Sequence, residues 1–215
     1  MVRASAPTVT DRGVAVDVCL APNHPRGLLR LGTLPVAVAV LTLITAAYYL
    51  LVALGNITDF NTNQAFVQHV FEMDTTFGDE DMTWRAIGNS AIQNIAYIAI
   101  IIWEVLIAAV LIWAVVAWVA ALRGRSGYER ARRLSTVGWT MVLLLFAGGF
   151  IVIGGEWFVM WQSEEWNGLD PALQNVIIAG LALILAHLPS REWDIPVRAT
   201  APEATATSPR EDQPA

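Results

Sequence analysis

In this chain of 215 residues the apolar set from alanine to tryptophan makes up 55% and charged residues only 15%, too little charge to coat a soluble globule. All 13 basic residues are arginine, set against 19 acidic ones for a net charge of −6. That balance argues against nucleic acid as a partner, and a single cysteine, Cys19, excludes an intrachain disulfide or a thiolate cluster.

Residues 1–27 carry Pro7, Pro22 and Pro25 without a hydrophobic period and read as a flexible tail. The first apolar run, Leu31 to Leu54, is too long and starts too late for a cleaved signal peptide. Three more follow at Ile92–Leu122, Leu134–Gly155 and Ala172–Leu188, and Glu104 is the one charged residue in all four. A spanning helix needs about 20 mostly apolar residues. The runs are apolar all round, whereas a helix on a soluble surface would keep a polar face. In lipid, runs of this kind satisfy their backbone only as helices. The expected fold is therefore all-α: a four-transmembrane-helix bundle over 28–190, with the lipid bilayer as solvent, and a disordered tail at 191–215.

Between the first two spans, Phe66, Val67, Val70 and Phe71 recur at helical spacing, which predicts a short amphipathic helix on the membrane surface. Asp81 or Thr83 is placed to cap a helix through Trp84, Ala86 and Ile87. Asn56-Ile57-Thr58 matches the glycosylation pattern, a three-residue match that chance supplies. After the third span, Trp157, Phe158, Trp161 and Trp166 suit the headgroup level. Asn167-Gly168 is a turn signal, and Asp170-Pro171 a helix start with Asp at the cap. Together the two loops predict an outer cap of interfacial helices, with Phe66, Trp157, Trp161 and Trp166 closing the bundle; Trp118, near the opposite interface, is expected to matter less to stability than Trp161.

Orientation follows from arginine. Arg3, Arg12, Arg26 and Arg30 precede the first span, five arginines from Arg123 to Arg133 separate the second from the third, and Arg191, Arg198 and Arg210 follow the fourth. Between the first two spans stands Arg85 alone, and between the last two there is none. The positive-inside rule then puts both termini and the central loop in the cytoplasm. The two acidic loops, with Asp79, Glu80, Asp81, Glu164 and Glu165, face outward.

Glu104 is the leading candidate for chemistry, because a carboxylate inside an apolar span is costly and marks a site by default. Counting back from Ala121 places it roughly 26 Å from the cytoplasmic edge at 1.5 Å per residue, in the outer part of a core of about 30 Å. Asn94, Tyr97, Ile101, Glu104 and Ala108 share one helical face. That face is expected to point into the bundle, with Tyr97 and Asn94 forming a hydrogen-bonded line outward from Glu104. Glu156, at the outer end of the third span, is the expected companion, and Gly148, Gly149, Gly154 and Gly155 permit close packing or a bend there. His69 and Glu72 are spaced i, i+3 and, with Asp74, make a weak proton or ligand site. A lone histidine does not make a metal centre, and His24 and His187 lie too far away for a haem pair. No Walker A, GxGxxG, HExxH or GxSxG pattern is present, so no cofactor and no catalytic residue is indicated.

The strings GNITDFNTNQAFVQHVFEMDTTF at 55–77, WRAI at 84–87, AYIAIIIWE at 96–104 and GGEWFVMWQSEEWNG at 154–168 resemble the bacterial predicted small integral membrane proteins of the domain-of-unknown-function 2165 family. The resemblance covers roughly residues 30 to 190. It implies a four-helix bacterial inner-membrane protein and supplies no activity. Two classes remain: a non-catalytic component or accessory subunit, binding a membrane-protein partner or a second copy through the aromatic, acidic outer cap; or an ion-, proton- or small-molecule-handling protein with an outward-facing carboxylate pocket at Glu104 and Glu156. Small size and the lack of paired broken helices favour the first.

Overall fold

The computed structural model describes residues 31–194; the tail at 1–27, the cysteine and the chain beyond Asp194 lie outside the described residues. Among the described residues six α-helices run in chain order: α1 (Leu34–Thr58), α2 (Phe60–Glu72), α3 (Glu80–Thr83), α4 (Ser90–Leu122), α5 (Glu129–Leu143) and α6 (Leu169–His187). α5 continues without a break into a π-helical segment, Leu144–Trp157. There is no strand among the described residues. Four helices, Leu34–Thr58, Ser90–Leu122, Glu129–Trp157 and Leu169–His187, are long and apolar enough to cross a membrane. The chain is an all-α integral membrane bundle.

α1 packs on α4, α4 on α5, α5 and its π-helical continuation on α6, and α6 on α1, closing a ring of four. Its packing is that of a protein in lipid. Leu43, Ile44, Leu50, Ile102, Val116, Leu181 and Ile184 point outward, while the interior holds Tyr49, Ile107, Leu111, Trp118 and Trp139. α6 turns Ala172, Ala179, Ala182 and Ala186 inward. Lipid tails are as apolar as leucine, so helices associate through close packing and polar contacts, and small side chains permit both. Gly138 of α5 shows how close: a Cβ there would stand 2.7 Å from Leu111 Cγ of α4.

Polar groups buried between the helices are paired across them. Thr42 and Ser135 hydroxyls meet at 3.0 Å, Trp118 Nε1 donates to Ser135 Oγ at 2.9 Å, and Trp139 Nε1 donates to Thr45 Oγ1 at 3.1 Å. Trp118 is 1% exposed, so it is a core residue, although its place near the helix end led to the expectation that it matters less to stability than Trp161. Where α5 passes into the π-helix, Trp103 Nε1 donates to the Met141 carbonyl at 3.0 Å. The wider ladder ends with Phe158 N–H donating to the Ile153 carbonyl at 3.0 Å.

At the arginine-bearing end the chain is ordered further than the sequence suggests. Arg191–Trp193 form a 3-10 turn, where a disordered tail was expected to begin. Glu192 Oε2 accepts from Leu34 N–H at 2.6 Å, placing a carboxylate on the N-terminus of α1, where free amides and the helix dipole favour it. Trp193 packs with Trp118 and Tyr128, and Arg132 lies over its ring at 4.4 Å.

Candidate functional site

α1 runs past the end of its apolar stretch to Thr58, and this extra turn brings Asn56 into the bundle. Asn56 Nδ2 donates to Glu104 Oε2 at 2.6 Å, and Asn56 Oδ1 accepts from Asn63 Nδ2 of α2 at 2.5 Å. Glu104 is 4% exposed. A line of polar groups thus leads outward from the carboxylate to Asn63, which is exposed.

The face chosen from the sequence does point inward, since Tyr97, Ile101, Glu104 and Ala108 are all buried. The line itself takes another route. Asn94, half-buried, accepts from Gln64 Nε2 at 2.7 Å through Oδ1. Tyr97 packs tilted against Phe60 at 4.7 Å between centroids, and its hydroxyl is buried. Side chains on a helix lean toward its N-terminus; Tyr97 therefore leans away from Glu104, and the carboxylate finds its donor on α1. Glu156 is exposed, and no hydrogen bond or ion pair among the described residues joins it to Glu104.

His69 and Glu72 part company as well. His69 Nδ1 meets Asp74 Oδ2 at 2.7 Å while its ring stacks on Trp166 at 4.4 Å. Glu72 Oε1 accepts from Gln93 Nε2 of α4 at 3.0 Å. No group of three His, Cys, Asp or Glu side chains gathers among the described residues.

The cap is built on α2 and the segment after the π-helix. α2 buries Val67 and Val70. Val70, Met73, Phe158, Val159 and Met160 form a separate apolar cluster, with Phe66, Phe71, Met82, Ile87 and Leu169 packed against it. Phe71 stacks on Phe158 at 4.7 Å, and Phe66 on Phe150 at 6.3 Å. Gly168 is required there, because a Cβ would stand 2.8 Å from Phe66 Cζ. Two non-glycine residues in this cluster, Met73 (φ 53°) and Val159 (φ 46°), hold left-handed backbone, a conformation that a β-branched valine adopts only where packing imposes it.

Polar bonds tie the two loops together. Thr75 Oγ1 donates to Ser163 Oγ at 2.8 Å, Phe77 N–H to Gln162 Oε1 at 2.9 Å and Arg85 Nη1 to the Trp157 carbonyl at 3.3 Å, while within the first loop Ile87 N–H donates to the Phe71 carbonyl at 2.8 Å. The helix starts differ from expectation. Asp79 caps α3, accepting from Asp81 N–H, and α3 ends before Trp84; Asn89 caps α4. α6 starts at Leu169, whose N–H donates to Asn167 Oδ1 at 3.1 Å.

Of the expected closing aromatics, Phe66 and Trp166 are half-buried, whereas Trp157 is 47% and Trp161 49% exposed. The seal beneath them is made by Phe158, Val159 and Met160. Trp157 meets Trp84 edge to face at 5.7 Å with Arg85 over both rings, and Trp161 meets Phe77 edge to face at 5.9 Å. Phe77 and Trp84 are still more exposed than their partners.

Residues 34–189 match a family model described as "Predicted small integral membrane protein (DUF2165)". No curated protein and no solved structure matches the chain.

Proposed function

The chain belongs to the DUF2165 family of predicted small integral membrane proteins, and from that premise we propose that it is a non-catalytic component of a larger assembly in the bacterial inner membrane, docking a partner membrane protein through its outer cap. The observation that carries this reading is the pair of aromatic couples, Phe77 with Trp161 and Trp84 with Trp157, left exposed on a cap whose interior is already sealed. Aromatic anchors held rigid before contact lose little conformational entropy on binding and dominate interface energetics. The cap is rigid because three hydrogen bonds, Thr75–Ser163, Phe77–Gln162 and Arg85–Trp157, cross between its loops and its strained residues are fixed by packing. Acidic Asp79, Glu80, Asp81, Glu164 and Glu165 are exposed in the same loops, so the partner surface is apolar with a basic rim.

In this reading the arginine-bearing end is cytoplasmic and the cap lies outside. The test is site-specific photocrosslinking in native membranes at native expression. A probe at Phe77 or Trp161 yields one discrete adduct heavier than the chain, and a probe at lipid-facing Leu181 yields none. Absence of a cap adduct, or the same adduct from Leu181, sinks the reading.

A further inference from the structure

We propose that the groove between α4 and the third span, lined by Ala99, Ile100, Trp103, Leu144, Leu145 and Gly149, binds one acyl chain of a phospholipid from the leaflet on the cap side. The groove exists because the two helices part. α4 packs along α5 but is scarcely in contact with its π-helical continuation. Toward the bundle interior α2 fills the gap: Phe66 stacks on Phe150, Phe71 stacks on Phe158, and both rings pack against the cluster of Tyr97 and Ile101 on α4. Ile100 borders both that filling and the groove. On the outer side the groove stays open, with Ala99 exposed and Leu144 59% exposed at its edge. All six lining residues lie within the two spans, so hydrocarbon is the solvent at its mouth.

The chemistry of the lining selects an apolar occupant. Trp103 alone among the six carries a polar side-chain atom, and its Nε1 is already engaged by the Met141 carbonyl at 3.0 Å. A quinone or polar solute finds no side-chain donor there, and cavities lined this way stay dry. Size then separates a lipid chain from a helix of another protein. The groove holds about 300 Å³, whereas one helical turn, about 10 Å across and about 5.4 Å long, fills roughly 400 Å³. A single hydrocarbon chain fits where a helix does not.

Charge identifies the headgroup. α4 is capped by Asn89 and the π-helix ends at Trp157, and Arg85 joins these two ends, donating from Nη1 to the Trp157 carbonyl at 3.3 Å. It is the one Lys or Arg in residues 59–89 and 158–168, and its guanidinium lies over the rings of Trp84 and Trp157. Tryptophans gather at headgroup level, and a guanidinium there is the complement of a phosphate. The inference stands apart from the docking reading, since the groove opens to lipid within the spans and its lining includes none of the exposed cap aromatics.

The experiment is native mass spectrometry of the full-length protein purified in mild detergent. The wild type should carry one phospholipid that is retained at collision energies which strip all other lipid. Gly149→Leu and Ala99→Leu fill the groove and should each lower the retained fraction several-fold; a Cβ at Gly149 meets only Leu145 Cδ1, at 3.8 Å, so the added side chain has room to enter the groove. Ala47→Leu puts the same bulk on an exposed position of α1 and should leave retention unchanged. The wild type decides even if a groove variant does not fold: a ladder of lipids stripped together overturns the proposal, as does a retained molecule whose mass is that of a quinone or another lipid without phosphate. Retention that survives both groove substitutions, or that falls equally in Ala47→Leu, overturns it too.

Discussion

Asn56 of α1 donates its side-chain amide to the carboxylate of Glu104 in α4 at 2.6 Å, pinning together the two helices that share the largest contact in the bundle. The same Asn56 receives an amide from Asn63, so one residue connects the membrane interior to the cap.

Asn56→Ala should destabilise the protein by about 1–2 kcal/mol, the upper range for a polar contact between membrane helices. Asn56→Asp should do more damage at neutral pH, since it sets a second carboxylate against the first. Like charges at that distance cannot both ionise. Lowering the pH lets the pair share a proton, and the extra penalty shrinks. Unfolding measured for both variants at pH 5 and pH 8 checks this; an identical Asn56→Asp deficit at both values would show that no second charge is felt.

Trp118→Ala should cost about 3 kcal/mol or more, because a fully buried indole and its bond to Ser135 are lost together. Trp161→Ala, half exposed, should cost less than about 1 kcal/mol. Thermal or denaturant unfolding in detergent ranks them. The reverse order would mean that the cap, and not the interior, governs stability.

How far these features can be read from the sequence differs between them for physical reasons. The four spans are visible because length and hydropathy report directly on solvent. The inward face of α4 is visible because Glu104 is the one charge in its span and Tyr97, Ile101 and Ala108 fall on the same stripe. Asn56 is not visible as the partner: it follows the apolar run, and the run's end reads as the helix end, while packing of α2 lets α1 continue to Thr58. Trp118 misleads in the opposite way, since tryptophan near a helix end suits both lipid headgroups and a core, and only Ser135 across the bundle decides. The glycines at 148, 149, 154 and 155 signal a departure from the ordinary helix without saying that the ladder becomes π-helical.

Gly138→Ala should lower stability by about 1–3 kcal/mol, because its methyl would meet Leu111, itself fully buried between α4 and α5. Gly148→Ala meets nothing within 4 Å and should be neutral or slightly stabilising through helix propensity. Equal losses for the two would show that the π-helical segment needs its glycine for backbone reasons.

Ending the chain after Ser190 should lower stability relative to ending it after Asp194, since only the longer chain keeps Glu192 on the α1 amides and Trp193 against Trp118 and Tyr128. Glu192→Ala alone should account for about 0.5–2 kcal/mol, the range for a helix N-terminal acceptor. If the two truncations unfold alike, the turn is only loosely attached.

The docking cap depends on which side of the membrane α2 faces, and labelling intact cells measures this most directly. In a background with Cys19 replaced, single cysteines at Asp79, Asn167 and Arg125 are treated with a membrane-impermeant maleimide. The account predicts labelling at 79 and 167 in intact cells, and at 125 only after the membrane is permeabilised. Labelling of 125 in intact cells, with 79 and 167 protected, would place the cap in the cytoplasm and contradict it.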